Sequence, residues 1–255
     1  MTPRKASIKP SRLPIPSAAP TPAPVPEASA APKARKSRAA PAVARGVVAR
    51  GMVAPAKIET PSAAATTTVD WQNKPISEIS LANITPHTLI APNFMVYELT
   101  RSELADRRGI DNHFPSDKEL RAAIYLAREV LQPIRDALGK FTPNSVFRGN
   151  PLERALKNKP ATWLSTSQHA RGEACDIEIV GMETLALANW ATINLKSFDQ
   201  IICECYDPKK GPNSGWVHIS LKAPGTGENR RQCLSYVRDP ASGRLVYVDG
   251  LTAMV

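Results

Sequence analysis

Apolar residues recur every three or four positions between residues 116 and 139, which is the spacing of one face of an amphipathic helix. The positions that follow this spacing are Leu120, Ala123, Ile124, Ala127, Val130, Leu131, Ile134 and Leu138. Ser116, with Glu119 three residues later, forms a capping box that marks a helix start, and Gly139 suits the helix end. We therefore predict a helix over residues 116–139, which Pro133 kinks or splits.

In the second half of the chain, apolar and polar residues alternate with the period of two that is typical of strands. Residues 172–180 form the first predicted strand, with Asp176 and Glu178 on one face. Residues 199–206 and 216–221 form two more, and the turn-rich segment 207–215 between them predicts antiparallel pairing. The remaining predicted elements are short helices at residues 151–157 and 183–195 and a terminal hairpin at residues 232–238 and 244–248. Together they predict an α+β fold with a small, mainly antiparallel sheet and packed helices.

The composition of the chain changes near residue 70. Residues 1–70 contain 11 Lys or Arg against three acidic residues, so this segment carries +8 of the formal net charge of +10. It also contains 12 of the 24 prolines and no Trp, Tyr or Phe. Such a segment cannot bury enough apolar surface to offset its chain entropy. We therefore predict a long disordered tail at residues 1–70 and one folded domain at residues 71–255.

The charge of the tail includes a basic cluster at residues 33–38. Such a cluster is a candidate anchor for a polyanion or a virion protein, although a solvated linker has the same composition. No apolar run reaches the 18 or more residues of a membrane helix, so we expect no membrane span. Prolines at positions 10, 14, 16 and 20 interrupt the apolar core that a signal peptide needs, so we expect no signal peptide.

Candidate chemistry lies in the stretch Ser-Gln-His-Ala-Arg-Gly-Glu-Ala-Cys-Asp at residues 167–176. It places His169 and Asp176 seven residues apart, with Gly172 between them. A second imidazole, His218, follows in the tripeptide Trp-Val-His at residues 216–218. Two histidines and one aspartate are a ligand set that catalytic zinc uses, with a fourth position left for water. These three residues are therefore candidate metal ligands.

Further motifs surround this candidate site. The segment 98–102 reads Glu-Leu-Thr-Arg-Ser, the segment 109–112 reads Gly-Ile-Asp-Asn, and the segment 147–149 reads Phe-Arg-Gly. With these motifs, residues 90–222 resemble the zinc D-Ala-D-Ala carboxypeptidase family, in the branch common among phage proteins and endolysins. The resemblance implies a hedgehog/D-Ala-D-Ala-peptidase-like fold and a Zn²⁺ ion held by His169, Asp176 and His218.

The same resemblance implies roles for two more residues. Arg148 matches an arginine that binds the substrate carboxylate or the developing oxyanion, a task that suits a planar and permanently charged guanidinium. Many relatives place Asp or Glu three residues before the last histidine, but this chain has Gly215 there. The best substitute as general base is Glu204, on the strand that precedes that of His218, and Glu178 is a weaker candidate.

We therefore expect a zinc metallopeptidase, encoded by a phage, that acts on the stem peptides of bacterial peptidoglycan as a D,D-carboxypeptidase or endopeptidase. The expected location is the virion or the host cytoplasm, with action on the cell wall. The alternative is a virion structural or cell-wall-binding protein that keeps the peptidase fold with little or no catalysis. The intact ligand set favours the enzyme, whereas Gly215 and the basic tail favour the alternative.

Overall fold

The computed structural model of the protein describes residues 69–254, so the tail predicted at residues 1–70 lies outside the described residues except for its last two. Within this range the predicted α+β fold is confirmed, since helices pack against a mixed sheet. The helices are α1 (Glu103–Arg108), α2 (Asp117–Leu126), α3 (Gln132–Leu138), α4 (Asn150–Lys157) and α5 (Thr184–Asn194). The strands are β1 (Leu89–Ala91), β2 (Phe94–Met95), β3 (Ala174–Ile177), β4 (Gln200–Glu204), β5 (Trp216–Ser220), β6 (Gln232–Arg238) and β7 (Leu245–Asp249).

The main sheet has five strands in the order β3-β5-β4-β6-β7, and β1 pairs with β2 in a separate hairpin. The predicted antiparallel pairing of β4 with β5 and the predicted terminal hairpin of β6 and β7 are both confirmed. The expected mainly antiparallel sheet needs one correction, because β6 runs parallel to β4. A parallel neighbour requires the chain to cross over first, and residues 221–231 make that crossing.

The long helix predicted over residues 116–139 is present as α2 and α3, joined by a π-helical turn at Ala127–Leu131. Pro133 falls in the first turn of α3 and has no amide hydrogen to donate to the preceding turn. The π turn therefore accommodates the proline without ending the helix. At the start of α2, Ser116 is the N-cap as predicted, and its hydroxyl accepts from the Lys118 amide and donates to the Glu119 carboxylate. Glu119 thus contacts the Ser116 side chain and not its backbone amide, so the reciprocal backbone bonds of a capping box are not formed.

One face of the main sheet is buried against helices α2 and α5, and it supplies the sheet's part of the hydrophobic core. The core side chains on this face are Cys175, Ile177, Ile201, Cys203, Val217 and Ile219. Because side chains alternate along a strand, the opposite face carries Asp176, Ile202, Glu204, Trp216 and His218. Within residues 69–254, no helix is both long enough and apolar enough to cross a bilayer.

Gly172 explains why β3 begins two residues later than predicted. The chain makes a 3-10 turn at His169–Arg171 and leaves it through Gly172, whose φ of 71° lies in the left-handed region. A Cβ atom at this position would lie 2.4 Å from the carbonyl oxygen of Glu119 on α2. Two separate features therefore require glycine at position 172: its left-handed backbone conformation and the close approach of α2.

We predict that Gly172→Ala destabilises the fold by about 2–5 kcal/mol, because strained backbone and a steric clash combine. Gly181→Ala is the matched control, since Gly181 has a φ of 85° but no atom within 4 Å of an added Cβ. That change carries only the backbone cost, about 1–2 kcal/mol. Chemical denaturation followed by circular dichroism measures both, and equal losses would contradict a role for the contact with α2.

Candidate metal centre

The three predicted ligands come from two strands and one turn. Asp176 on β3 lies directly opposite His218 on β5, so both side chains point to the same face of the sheet. His169 does not lie on a strand but in the 3-10 turn that precedes β3. All three residues are buried. The structure therefore brings together the three residues that the motifs indicated.

The ligand atoms of these residues form a nearly equilateral triangle. His169 Nε2 lies 3.1 Å from Asp176 Oδ1 and 3.1 Å from His218 Nδ1, and His218 Nδ1 lies 3.1 Å from Asp176 Oδ1. A tetrahedral zinc site with bonds near 2 Å has ligand atoms separated by about 3.3 Å. The triangle therefore has the size that three ligands of one zinc ion require.

The protonation of His169 adds a second argument for a cation. Its Nδ1–H donates to the Val146 carbonyl oxygen at 2.7 Å, which leaves Nε2 as the nitrogen that faces the triangle. Burial, assisted by the charge of Arg148, lowers the pKa of His169 to about 4. At neutral pH, Nε2 therefore presents a lone pair to a carboxylate oxygen. A bound metal ion turns this repulsion into coordination, and the bond to Val146 fixes the tautomer that binds it.

Asp176 stays ionised because of its other oxygen. Arg148 Nη1 donates to Asp176 Oδ2 at 2.8 Å, and Arg148 Nε donates to Glu153 Oε1 at 2.8 Å. Burial raises the pKa of Asp176, but His169, which becomes protonated in acid, and Arg148 outweigh burial and hold it well below its ordinary value. One carboxylate oxygen is therefore held by Arg148 while the other faces the triangle.

The flanking motifs position Arg148. The side-chain amide of Asn112 donates to the Phe147 carbonyl and accepts from the Gly149 amide, so it holds the backbone on both sides of the arginine. The Phe147 amide donates to the carbonyl of Leu99, which belongs to the segment 98–102. The motifs at residues 98–102 and 109–112 therefore act as a frame for the segment that carries Arg148.

Glu204, the predicted general base, lies on the same face of the sheet as His218. Its register partner on β5 is Trp216, two residues before His218. Burial raises the pKa of Glu204 to about 7, against the effect of His218 and with the effect of the Asp176 charge. Because Ile202 is the register partner of His218, Glu204 is a diagonal neighbour of His218, and such neighbours are separated by about 7–8 Å. A carboxyl group with this pKa exists in both protonation states near neutral pH.

The structure also explains why residue 215 is glycine. Gly215 has a φ of 71°, and a Cβ atom there would lie 2.1 Å from the carbonyl oxygen of Glu204 and 2.6 Å from the carbonyl carbon of Cys205. The backbone at the end of β4 therefore occupies the space that a side chain at position 215 would need. A carboxylate at that position is incompatible with this turn, and the carboxylate of Glu204 comes from the strand that fills the space.

One feature of the site was not predicted from the sequence. Glu153 is fully buried and also accepts from Ser165 Oγ at 2.8 Å and from Lys157 Nζ. Its only sequence signal was a charged residue in the first turn of α4, five positions after Arg148. The weaker base candidate, Glu178, accepts from Asn144 Nδ2 at 2.7 Å just beyond the end of β3.

Comparisons of the chain with models of protein families, with curated proteins and with solved structures found no match. Support for a function therefore comes from the side chains of the site, from their spacing and from their charges. Three features supply it: the triangle of ligand atoms, the ion pairs that hold Asp176, and the raised pKa of Glu204.

We predict that the protein binds about one zinc ion per chain and that His169→Ala or His218→Ala abolishes stoichiometric binding, since each removes one of three ligands. His113→Ala is the matched control, because the side chain of His113 is 87% exposed and pairs with Asp111. Equilibrium dialysis with elemental analysis measures the metal content. Undiminished zinc in both ligand variants would place the metal elsewhere in the chain.

Proposed function

We propose that the protein is a zinc-dependent peptidase that acts on bacterial peptidoglycan peptides, of the D,D-carboxypeptidase or endopeptidase type. The observation that carries the proposal is the combination of a three-ligand metal centre with a nearby carboxyl group, Glu204, whose pKa is about 7. Amide hydrolysis needs both parts, because water must be activated and protons must be moved. The choice of peptidoglycan, and of a phage protein that reaches the cell wall, follows from the resemblance of residues 90–222.

His169 Nε2, Asp176 Oδ1 and His218 Nδ1 are the atoms that would hold the zinc ion. When bound, zinc supplies a Lewis acid that polarises the scissile carbonyl and makes water a better nucleophile. His169 is neutral at neutral pH before any metal binds, and its hydrogen bond to the Val146 carbonyl oxygen fixes its tautomer. The ligand set therefore requires no proton loss from His169 before it binds the metal.

Glu204 is the residue that we assign to proton transfer. As a carboxylate it takes a proton from the attacking water, and as a carboxylic acid it gives that proton to the leaving amine. A pKa near the working pH serves both steps, because neither protonation state is costly to reach. The partly buried position of the side chain, which raises the pKa, is thus suited to the chemistry.

Arg148 has two tasks in the proposed site. Its Nε and Nη1 atoms hold Glu153 and Asp176, so most of the guanidinium is already engaged. Within residues 69–254, Nη2 of Arg148 donates to no protein acceptor. This nitrogen is the one that we assign to the substrate carboxylate or the developing oxyanion. Arg148 would thus position Asp176 and also bind the substrate carboxylate or oxyanion, which is the role that the resemblance implied.

We predict that Glu204→Gln keeps near-normal zinc content and lowers activity on a D-Ala-D-Ala peptide by roughly 10²–10⁴-fold, the usual effect of losing a positioned acid–base group. The amide keeps the size of the side chain but cannot carry the proton. Glu178→Gln is the matched control and should remain near wild-type activity. Full activity in Glu204→Gln would refute the assignment.

Wild-type protein that binds zinc but cleaves no peptidoglycan peptide would instead support a virion structural or cell-wall-binding protein. Cleavage of purified cell wall, with and without a chelator, separates these two outcomes. Loss of cleavage on chelation and its return on addition of zinc are the results that we expect.

We also predict that kcat/KM falls about tenfold per pH unit once the pH drops below the pKa of Glu204, since the carboxylate is the reactive form of a general base. Without metal this pKa is about 7, and a bound cation favours the carboxylate, so the midpoint should lie at or below 7. Rate profiles from about pH 5 to about pH 9 measure it. The same acidic limb in Glu204→Gln would assign the titration to another group.

A further inference from the structure

The side chain of Gln168, the residue directly before His169, is anchored to another part of the fold. Its Nε2 donates to Asp199 Oδ2 at 3.0 Å, and its backbone carbonyl accepts from the Glu173 amide at 2.9 Å. Asp199 directly precedes β4 and is fully buried. The turn that carries His169, which we call the ligand turn (residues 167–173), is therefore closed by its own backbone and linked to β4 by one side chain.

Asp199 is in turn held by the segment that crosses from β5 to β6, the crossover segment (residues 221–231). Arg230 Nε donates to both carboxylate oxygens of Asp199 at 3.0 and 3.1 Å, and its Nη2 donates to Oδ2. The Arg230 amide donates to Asp199 Oδ1 at 3.0 Å, and Lys222 Nζ lies 3.5 Å from that oxygen. Burial raises the pKa of Asp199, but the hydrogen bonds and charge of Arg230 outweigh burial and lower it to about 2. Asp199 is therefore an ionised acceptor for Gln168.

The crossover segment also contacts the other end of the ligand turn. The Glu173 carbonyl accepts from the Leu221 amide at 2.9 Å, and Glu173 Oε1 accepts from Thr226 Oγ1 at 3.2 Å. The ligand turn is thus held near its start through Gln168 and at its end through Glu173. His169 lies between these two contacts.

His169 depends on such contacts more than the other two candidate ligands do. Asp176 and His218 lie opposite each other on paired strands, so the backbone hydrogen bonds of the sheet fix their separation. His169 lies on a 3-10 turn of three residues, outside the sheet. A metal–ligand bond tolerates a deviation of only about 0.2 Å, so a small movement of this turn would weaken the site.

The ring and backbone of His169 also contact the segment that carries Arg148. His169 Nδ1–H donates to the Val146 carbonyl oxygen at 2.7 Å, and the His169 carbonyl accepts from the Arg148 amide at 3.2 Å. These contacts come from the chain before α4, whereas Gln168 and Glu173 connect the turn to β4 and to the crossover segment. The ligand turn is therefore held by two separate parts of the fold.

We propose that Gln168, Asp199 and Arg230 are positioning residues, which hold the ligand turn so that His169 Nε2 stays at the distance from the two sheet ligands that a metal ion requires. They act through the turn and not by contact with the metal. This inference rests on the proposed metal centre. It assigns to the crossover segment a second task, besides the parallel pairing of β6 with β4.

Gln168→Met tests the link to Asp199, because methionine has about the length of glutamine but no hydrogen bond to donate. Gln200→Met is the matched control, since Gln200 is also half-buried and its Nε2 donates to Gln232 Oε1 at 2.8 Å, between β4 and β6. Competition with a chromophoric chelator on the full-length chain measures the Kd for zinc. We expect Gln168→Met to raise this Kd by about 10–100-fold, the usual effect of losing a group that orients a metal ligand, and Gln200→Met to leave it unchanged.

A second measurement follows His169 itself in the metal-free chain. Its Nδ1 proton is protected by the hydrogen bond to the Val146 carbonyl, and nitrogen-15 NMR gives the rate at which this proton exchanges with water. We expect faster exchange in Gln168→Met than in the wild type or Gln200→Met. Chemical denaturation of both methionine variants separates position from stability. A zinc Kd that merely follows the denaturation midpoint would make the contacts of Gln168 structural only and overturn the inference.

Arg230→Met tests the contacts one step further from the metal. The neighbouring Arg231→Met is its control, because each variant removes one positive charge from the crossover segment. Arg230→Met removes the side-chain hydrogen bonds of Arg230 to Asp199, so we expect a higher zinc Kd than in Arg231→Met. Equal Kd values in this pair would remove Arg230 from the set of positioning residues.

Failure of the inference and failure of the proposed function give different results. If the wild-type chain binds zinc and Gln168→Met binds it as tightly as Gln200→Met, the inference is refuted and the metal centre stands. If the wild-type chain binds no zinc, the proposed function fails. The exchange rate of the His169 proton then still decides whether Gln168 positions the ligand turn.

Discussion

The convergence of three electron-donating atoms in a buried place is the constraint on which the rest of this structure depends. His169 Nε2, His218 Nδ1 and Asp176 Oδ1 lie 3.1 Å from one another, and His169 has no proton to offer there at neutral pH. His218 Nδ1 can supply at most one proton to the other two atoms, so a positive charge among the three is favourable. The pairing of Asp176 with His218 across β3 and β5 holds it in place, and the turn through Gly172 brings His169 to it.

A second constraint decides which residue can place a carboxyl group beside the candidate metal centre. The tight turn before β5 places Gly215 against the carbonyl group of Glu204, so position 215 has no room for a side chain. Glu204 is half-buried on the face of the sheet that carries His218, and burial raises its pKa to about 7. Position 215 therefore cannot supply a carboxyl group, whereas Glu204 on the neighbouring strand does.

The elements that depend on local patterns were predictable from the sequence. The cap signal at Ser116 and the apolar spacing behind it act over a few residues and predicted a helix where the structure has α2. The alternation around Glu204 likewise predicted a strand where the structure has β4. The three ligands were indicated by a motif, and the structure brings them together. The parallel pairing of β4 with β6 was not predictable, because alternation identifies a face of a strand but not its neighbour.

The buried ion pairs around Arg148 were also not predictable from a local pattern. Their charges affect how the site would bind a metal ion. A guanidinium 2.8 Å from Asp176 Oδ2 both orients the carboxylate and competes with a metal ion for its negative charge. Glu153 opposes that competition, because it is fully buried and pairs with Arg148 through Nε. Lys157 in turn pairs with Glu153, so these four charged side chains sum to zero. Arg148 can therefore hold Asp176 in position without giving this cluster a net positive charge that would repel a divalent cation.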